Sequence, residues 1–162
     1  MSVQRVRDDL QNWNLASRIR EFTVSSATVE EAALAVGCEP SRIAKTMSFF
    51  VDGRAVLIVM AGDAKISNPK FKSVFHQKAA MIPSEKVQEY TGFAPGGVCP
   101  FAAAEGVPVY LDESLKRFAM VYPSGGNAQS AVELNLEELW KASRAKGWVD
   151  VSKLPEASEG SL

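Results

Sequence analysis

Lys45 stands in Ile43-Ala-Lys-Thr-Met-Ser-Phe-Phe-Val51, a run whose alternate residues share a face if it is a strand. The face of Lys45 also carries Ile43, Met47, Phe49 and Val51; Ala44, Thr46, Ser48 and Phe50 take the other. Lysine is rarely fully buried unless it has a partner. An ammonium at the mouth of an apolar pocket can offer its charge to an anion or a carbonyl. A lysine near a strand start can equally snorkel to water. The second feature is Gly92-Phe-Ala-Pro-Gly-Gly-Val-Cys-Pro-Phe101. Its glycines open backbone angles closed to other residues, and Pro95 and Pro100 stiffen it. A flexible linker would be polar and Gly/Ser-rich, whereas Phe93, Val98 and Phe101 make this segment pack down. Such a loop either brings backbone N–H groups of Gly97 and Val98 up to a phosphate or oxyanion, or simply turns a helix into a strand.

What is missing narrows the chemistry. The chain has one histidine, so a Ser-His-Asp or Cys-His pair must use His76, which lies beside Gln77 and Lys78, far from Cys99. Cys99 reads as a small apolar residue of the loop. No phosphate-binding Walker loop or dinucleotide fingerprint is present, and no ligand-spaced cluster suggests zinc, so neither cofactor nor metal is expected. Glu30/Glu31 and Glu137/Glu138 fall at helix starts, where they favour the dipole.

The elements that must position these groups form one α/β unit. Asp52-Gly53 between apolar runs predicts a hairpin over residues 43–60. A helix with Val3, Val6, Leu10 and Trp13 on one face is expected first, then a strand at 19–24. Thr28 and Glu31 form a capping-box pattern, and Gly37 stops that helix. Asn68-Pro69 reads as cap and first position of a third helix. A strand is expected at 79–82 and a helix at 84–91. Further strands are placed at 108–111, 118–122 and 131–134, and a last helix at 136–146, capped by Asn135 and Glu138 and ended by Gly147. One domain over residues 1–154 is expected, with residues 155–162 a polar, disordered tail.

A chain of 162 residues, 46% hydrophobic, with net charge −1, suits a small domain with a real core and argues against a broad nucleic-acid footprint. No run is long and apolar enough for a membrane span, the start lacks a signal-peptide layout, and two cysteines give no disulfide framework; a cytoplasmic protein is expected. Locally, Lys65, Lys70, Lys72, His76 and Lys78 follow one another without an acid. This is either a solvated face or a track for phosphates. Arg5, Arg7, Arg18 and Arg20 form a second cluster, partly offset by Asp8, Asp9 and Glu21.

Four pieces, in order, resemble the YbaK/prolyl-tRNA-synthetase-associated editing domain family of trans-acting aminoacyl-tRNA deacylases. They are the helix Thr28–Gly37, Ile43-Ala-Lys-Thr with Lys45 as the family's functional lysine, Gly96-Gly-Val-Cys-Pro100 as its Gly-x-x-x-Pro loop, and Tyr122-Pro-Ser-Gly-Gly126 as its late Ser/Gly loop. The resemblance covers roughly residues 1–145. It implies a mixed α/β (α+β) domain with a strongly curved sheet surrounded by helices, and hydrolysis of the ester of mischarged tRNA. It implies Lys45, Gly96, Gly97 and Val98 as the catalytic set, with Met47, Phe49, Pro100, Ser124, Gly125 and Gly126 around the substrate and a ribose hydroxyl helping to activate water. Lys65, Lys70, Lys72 and Lys78 would then hold the tRNA, and an aminoacyl-tRNA synthetase would be a second partner. The chain departs from the pattern too. Where the subgroup clearing cysteine from proline tRNA carries basic residues there are Asn127 and Ala128, and His76 is too early to match the late histidine of other relatives. The deacylase class survives these departures; the amino acid removed and the oligomeric state stay open. A non-catalytic tRNA-, nucleotide- or protein-binding module of the same fold, and a hydrolase of another small ester, are the other readings.

Overall fold

Asp52 and Gly53 both take positive φ, 53° and 77°, the conformation a two-residue hairpin turn needs to match strand twist. Around this turn the computed structural model, which describes residues 2–155, builds its longest ladder. In chain order the elements are α1 (Ser2–Gln11), β1 (Ile19–Glu21), α2 (Val29–Val36), β2 (Ile43–Val51), β3 (Arg54–Ala61), β4 (Lys65–Ile66), α3 (Asn68–Phe75) and α4 (Ser84–Thr91). Then come β5 (Val109–Asp112), β6 (Met120–Pro123), β7 (Ser130–Val132), β8 (Leu134–Asn135), α5 (Leu136–Ser143), β9 (Gly147–Val149) and β10 (Ser152–Lys153).

The result is a mixed α/β fold with a strongly curled six-stranded sheet, ordered β8-β6-β2-β3-β5-β9. Two small antiparallel pairs, β1 with β7 and β10 with β4, flank it. β3 is apolar from Ala55 to Ala61 and buried over that whole run. Such a strand needs cover on both faces and neighbours on both edges. It has β2 antiparallel from Ala44↔Ala61 to Val51↔Arg54 and β5 parallel from Leu57↔Val109 to Val59↔Leu111. Phe49, Phe71, Phe93, Phe101, Leu57 and Ile58 are among the largest fully buried side chains. Asp112, fully buried at the end of β5, accepts from the Ser114 and Val151 N–H groups (both 2.9 Å) and from Ser152 Oγ (2.6 Å), tying β10 to the sheet.

The local signals at helix ends hold. Thr28 with Glu31 and Asn135 with Glu138 form complete capping boxes, and Gly37 ends α2 at φ 85°. Other boundaries move. The cap of α3 is Ser67, whose hydroxyl accepts from the Lys70 N–H, so Asn68 is already helical. α5 stops at Ser143 with Arg144 in the left-handed conformation, and Gly147 opens β9. α1 ends before Trp13, which lies under the Arg144 guanidinium instead of in the core. Residues 79–82 make a single bridge, Met81 to Phe49, because the Phe50 N–H and the Ser48 carbonyl are the β2 groups that reach them. β9, β10 and β4 are too short to stand out in sequence. Of the expected tail, residues 156–162 lie outside the described residues. No described helix is long and apolar enough to cross a membrane.

Candidate functional site

Lys45 does not run free to solvent. Its Nζ donates to the carbonyls of Ala64 (2.6 Å) and Gly62 (3.3 Å), in the turn after β3. An ammonium has three donors, so one is left for a ligand. Gly62 is required there by space: a Cβ would collide with the Pro40 carbonyl and lie 2.8 Å from Val29 Cγ1. That close approach joins the start of α2 to the lysine's anchor. Burial pushes the Lys45 pKa down, with the charges of Asp63 and Glu30 working against it and Lys65 adding to it. Asp63 is itself clamped by Arg117 (2.6 and 3.1 Å), whose hydrogen bond holds its carboxyl below the usual range.

The stiff loop and Lys45 meet at one cavity of about 500 Å³. Its floor is β2 from Ile43 to Ser48. Ser26–Val29, Ile82–Ser84, Pro95, Gly96, Val98, Tyr122, Ser124 and Ser130 wall it. None of these lining residues is a histidine or a carboxylate. Gly96 sits at φ 84°, where a Cβ would come 3.2 Å from Ala27 Cβ, so the loop closes tightly on the segment before α2. The Tyr122 hydroxyl donates to Glu133 (3.0 Å), and burial followed by that bond raises its pKa.

Other expected site residues fall elsewhere. The Gly97 N–H closes a turn on the Ala94 carbonyl (3.0 Å), and a Cβ on Gly97 would lie 2.7 Å from Asn127 Cα. Gly97 therefore lets the two glycine loops pack together and offers no free donor. The Val98 N–H has no hydrogen-bond partner among the described residues. Ser124 reaches the cavity; Gly125 and Gly126 lie behind it, donating to Ser130 Oγ and Ser124 Oγ (both 3.1 Å). Pro100 lines a separate cleft beside Asp9 and Arg144. Phe49 is core, its ring 5.1 Å from Phe71, and edges a smaller cavity shared with Lys45, Met47, Lys65 and Met81. Cys99 is fully buried, its thiol on the Phe101 carbonyl and its pKa pushed up by burial to about 12, which suits packing and not nucleophilic attack.

The basic stretch is also sorted by structure. Lys65, Lys70, Lys72 and Lys78 are all exposed, but Lys70 is paired with Asp150 (3.1 Å) and donates to the Ser152 carbonyl. Of the arginine cluster, Arg7, Arg18 and Arg20 are bound to Glu21, Glu138 and Glu133, and Arg5 caps the Gly92 carbonyl. Thr46, Ser48, Ser26 and the 81–83 segment are cavity residues that the sequence reading did not single out. The alternation of Ala44, Thr46 and Ser48 as small residues on one face was the available signal.

A curled sheet carrying a lysine at the rim of a cleft, closed by two mutually packed glycine loops, defines a small α/β domain built around one cavity. Residues 23–142 match the family described as the aminoacyl-tRNA editing domain, and the chain belongs to that family. It is 49% identical over 154 residues to the uncharacterized protein YwhH of Bacillus subtilis (strain 168), covering 94% of this chain and 98% of that one. It is 32% identical over 130 residues to the proline–tRNA ligase of Desulfovibrio desulfuricans, covering 80% of this chain but 22% of the ligase. A crystal structure described as a candidate trans-editing enzyme for prolyl-tRNA synthetase superposes with a TM-score of 0.83 at 29% identity, covering 94% and 97% of the two chains.

Proposed function

We propose that this protein hydrolyses the ester of mischarged aminoacyl-tRNA in trans, as a freestanding editing deacylase. The observation that carries the reading is that Lys45 and the Gly96–Val98 loop, more than 50 residues apart in sequence, line one cavity. Water attacks the ester carbonyl carbon. The bond from that carbon to the tRNA ribose oxygen breaks, and the proton lost by water ends on that oxygen. The unpartnered Val98 N–H is the loop's donor for the tetrahedral oxyanion, and such a donor is worth about 2.7–4 kcal/mol in known cases. The third donor of Lys45, aimed by two carbonyls, holds the terminal phosphate or polarises the ester. With no carboxylate or histidine lining the cavity, water is activated by the substrate's own ribose hydroxyl or by solvent. Gly96, Met47 and Ser124 bound the aminoacyl group. Lys65, Lys72 and Lys78, with Lys70 partly offset by Asp150, face the tRNA phosphates. The likeness to part of the ligase supports a synthetase as a second partner. The test is deacylation of a panel of mischarged tRNAs. Turnover of at least one, lost in Lys45→Ala, is expected; no turnover of any would overturn the reading.

A further inference from the structure

β2 is a central strand with a gap in its pairing. Its odd residues face β3: the Phe50 N–H reaches the Ala80 carbonyl and the Ile82 N–H reaches the Ser48 carbonyl, so the even residues point to the opposite edge. On that edge β6 pairs only with Ile43 and Ala44. Between Ala44 and the Ser48 carbonyl, the Thr46 N–H, the Thr46 carbonyl and the Ser48 N–H have no hydrogen-bond partner among the described residues. Buried backbone groups are almost always paired; Ser48 is 5% exposed and Thr46 half-buried. The Thr46 hydroxyl oxygen, buried beside them, is likewise without a partner. This edge is the floor of the cavity. The gap takes in the two backbone groups of Thr46 and the Ser48 N–H and is closed at both ends by pairing, so it is too short for an added strand.

We infer that this open edge receives the main-chain part of the substrate's aminoacyl group, an inference that rests on the deacylase reading. The α-ammonium donates to the Thr46 carbonyl. The ester carbonyl oxygen, the atom that the Val98 N–H meets as the oxyanion, also accepts from the Thr46 or the Ser48 N–H, according to whether the group lies antiparallel or parallel to β2. Both interactions are those a β-strand residue makes, so they accept any α-amino acid, and discrimination falls to the side-chain walls. An acyl group without an α-amino group loses the charge-assisted bond.

The experiment is residue-resolved amide exchange of the full chain, free and with 3′-alanylamino-3′-deoxyadenosine, an amide-linked mimic carrying the smallest chiral aminoacyl group. The free protein should exchange Thr46 and Ser48 far faster than Met47 and Phe49, which bond to β3. The mimic should slow Thr46 or Ser48 about tenfold or more, and its lactyl counterpart, lacking the ammonium, should bind about tenfold more weakly. If mischarged tRNA is hydrolysed but the mimic binds without slowing either amide, the edge inference falls and the deacylase reading stands. Slowed exchange with no turnover of any aminoacyl-tRNA supports the edge as a binding site and overturns the deacylase reading. Equal affinity for the alanyl and lactyl mimics overturns the role given to the Thr46 carbonyl.

Discussion

β2 and β3 are the two halves of one hairpin, yet they do opposite jobs. β3 is buried from Ala55 to Ala61 and has β5 on its second edge over Leu57–Val59, whereas β2 loses its second neighbour between Ala44 and Ser48 and stays half-buried from Lys45 to Met47. Both are apolar enough to be strands. The contrast teaches that the cavity is made by withholding a neighbour, with backbone groups of Thr46 and Ser48 left open, beside a strand whose middle is paired on both edges.

The comparison breaks most visibly in β3. Leu57 is fully buried, and Leu57→Ala should cost about 2–5 kcal/mol in a denaturant melt. A loss well under 1 kcal/mol would mean that β3 does not anchor the domain. In β2 the same truncation should act on function. Lys45→Ala should cost about 1–3 kcal/mol of stability, since it leaves the carbonyl of the fully buried Ala64 without its donor, and should lower kcat/KM about 10- to 150-fold, the equivalent of roughly 1.5–3 kcal/mol. Circular dichroism beside a deacylation time course reads both.

Titration sharpens the same point. Burial lowers the Lys45 pKa, so the folded state binds this proton less tightly than the unfolded chain. The stability of the wild type relative to Lys45→Met should therefore rise with pH between the lowered folded value and the ordinary lysine value of 10.5. Activity needs the ammonium and should fall as pH passes the folded value, after correction for spontaneous hydrolysis. An alkaline limb at or above the ordinary value would contradict the burial.

Smaller effects are expected at the surface. Lys72→Ala should weaken all tRNAs alike and reduce the salt slope by about 0.7–0.9, with Lys70→Ala doing less because Asp150 already offsets it. Binding measured against salt for two unrelated tRNAs checks this, and an unchanged slope would place the tRNA elsewhere. The smallest change belongs to the open edge. Thr46→Val keeps shape and removes an unpaired buried hydroxyl, so thermal melts should show no loss of stability and up to about 1 kcal/mol of gain.

Sequence alone determined what is set by a few neighbouring residues. Asp52-Gly53 fixed the hairpin, Thr28/Glu31 and Asn135/Glu138 fixed two helix starts, and Lys45 with the Gly96 loop pointed to groups that line one cavity, because turns, caps and glycine angles are local. Tertiary structure decided what depends on partners far along the chain. Lys70 meets Asp150, and Arg18 and Arg20 meet Glu138 and Glu133, so the charge each presents could not be read from its own neighbourhood. Gly97 serves loop packing because Asn127 lies against it, and Pro100 faces a different cleft because the chain turns between Val98 and Phe101. The open edge at Thr46 is the clearest case. Strand propensity is written in β2 itself, but which backbone groups go unpaired depends on where β6 stops and residues 80–82 begin, and only the folded chain sets that.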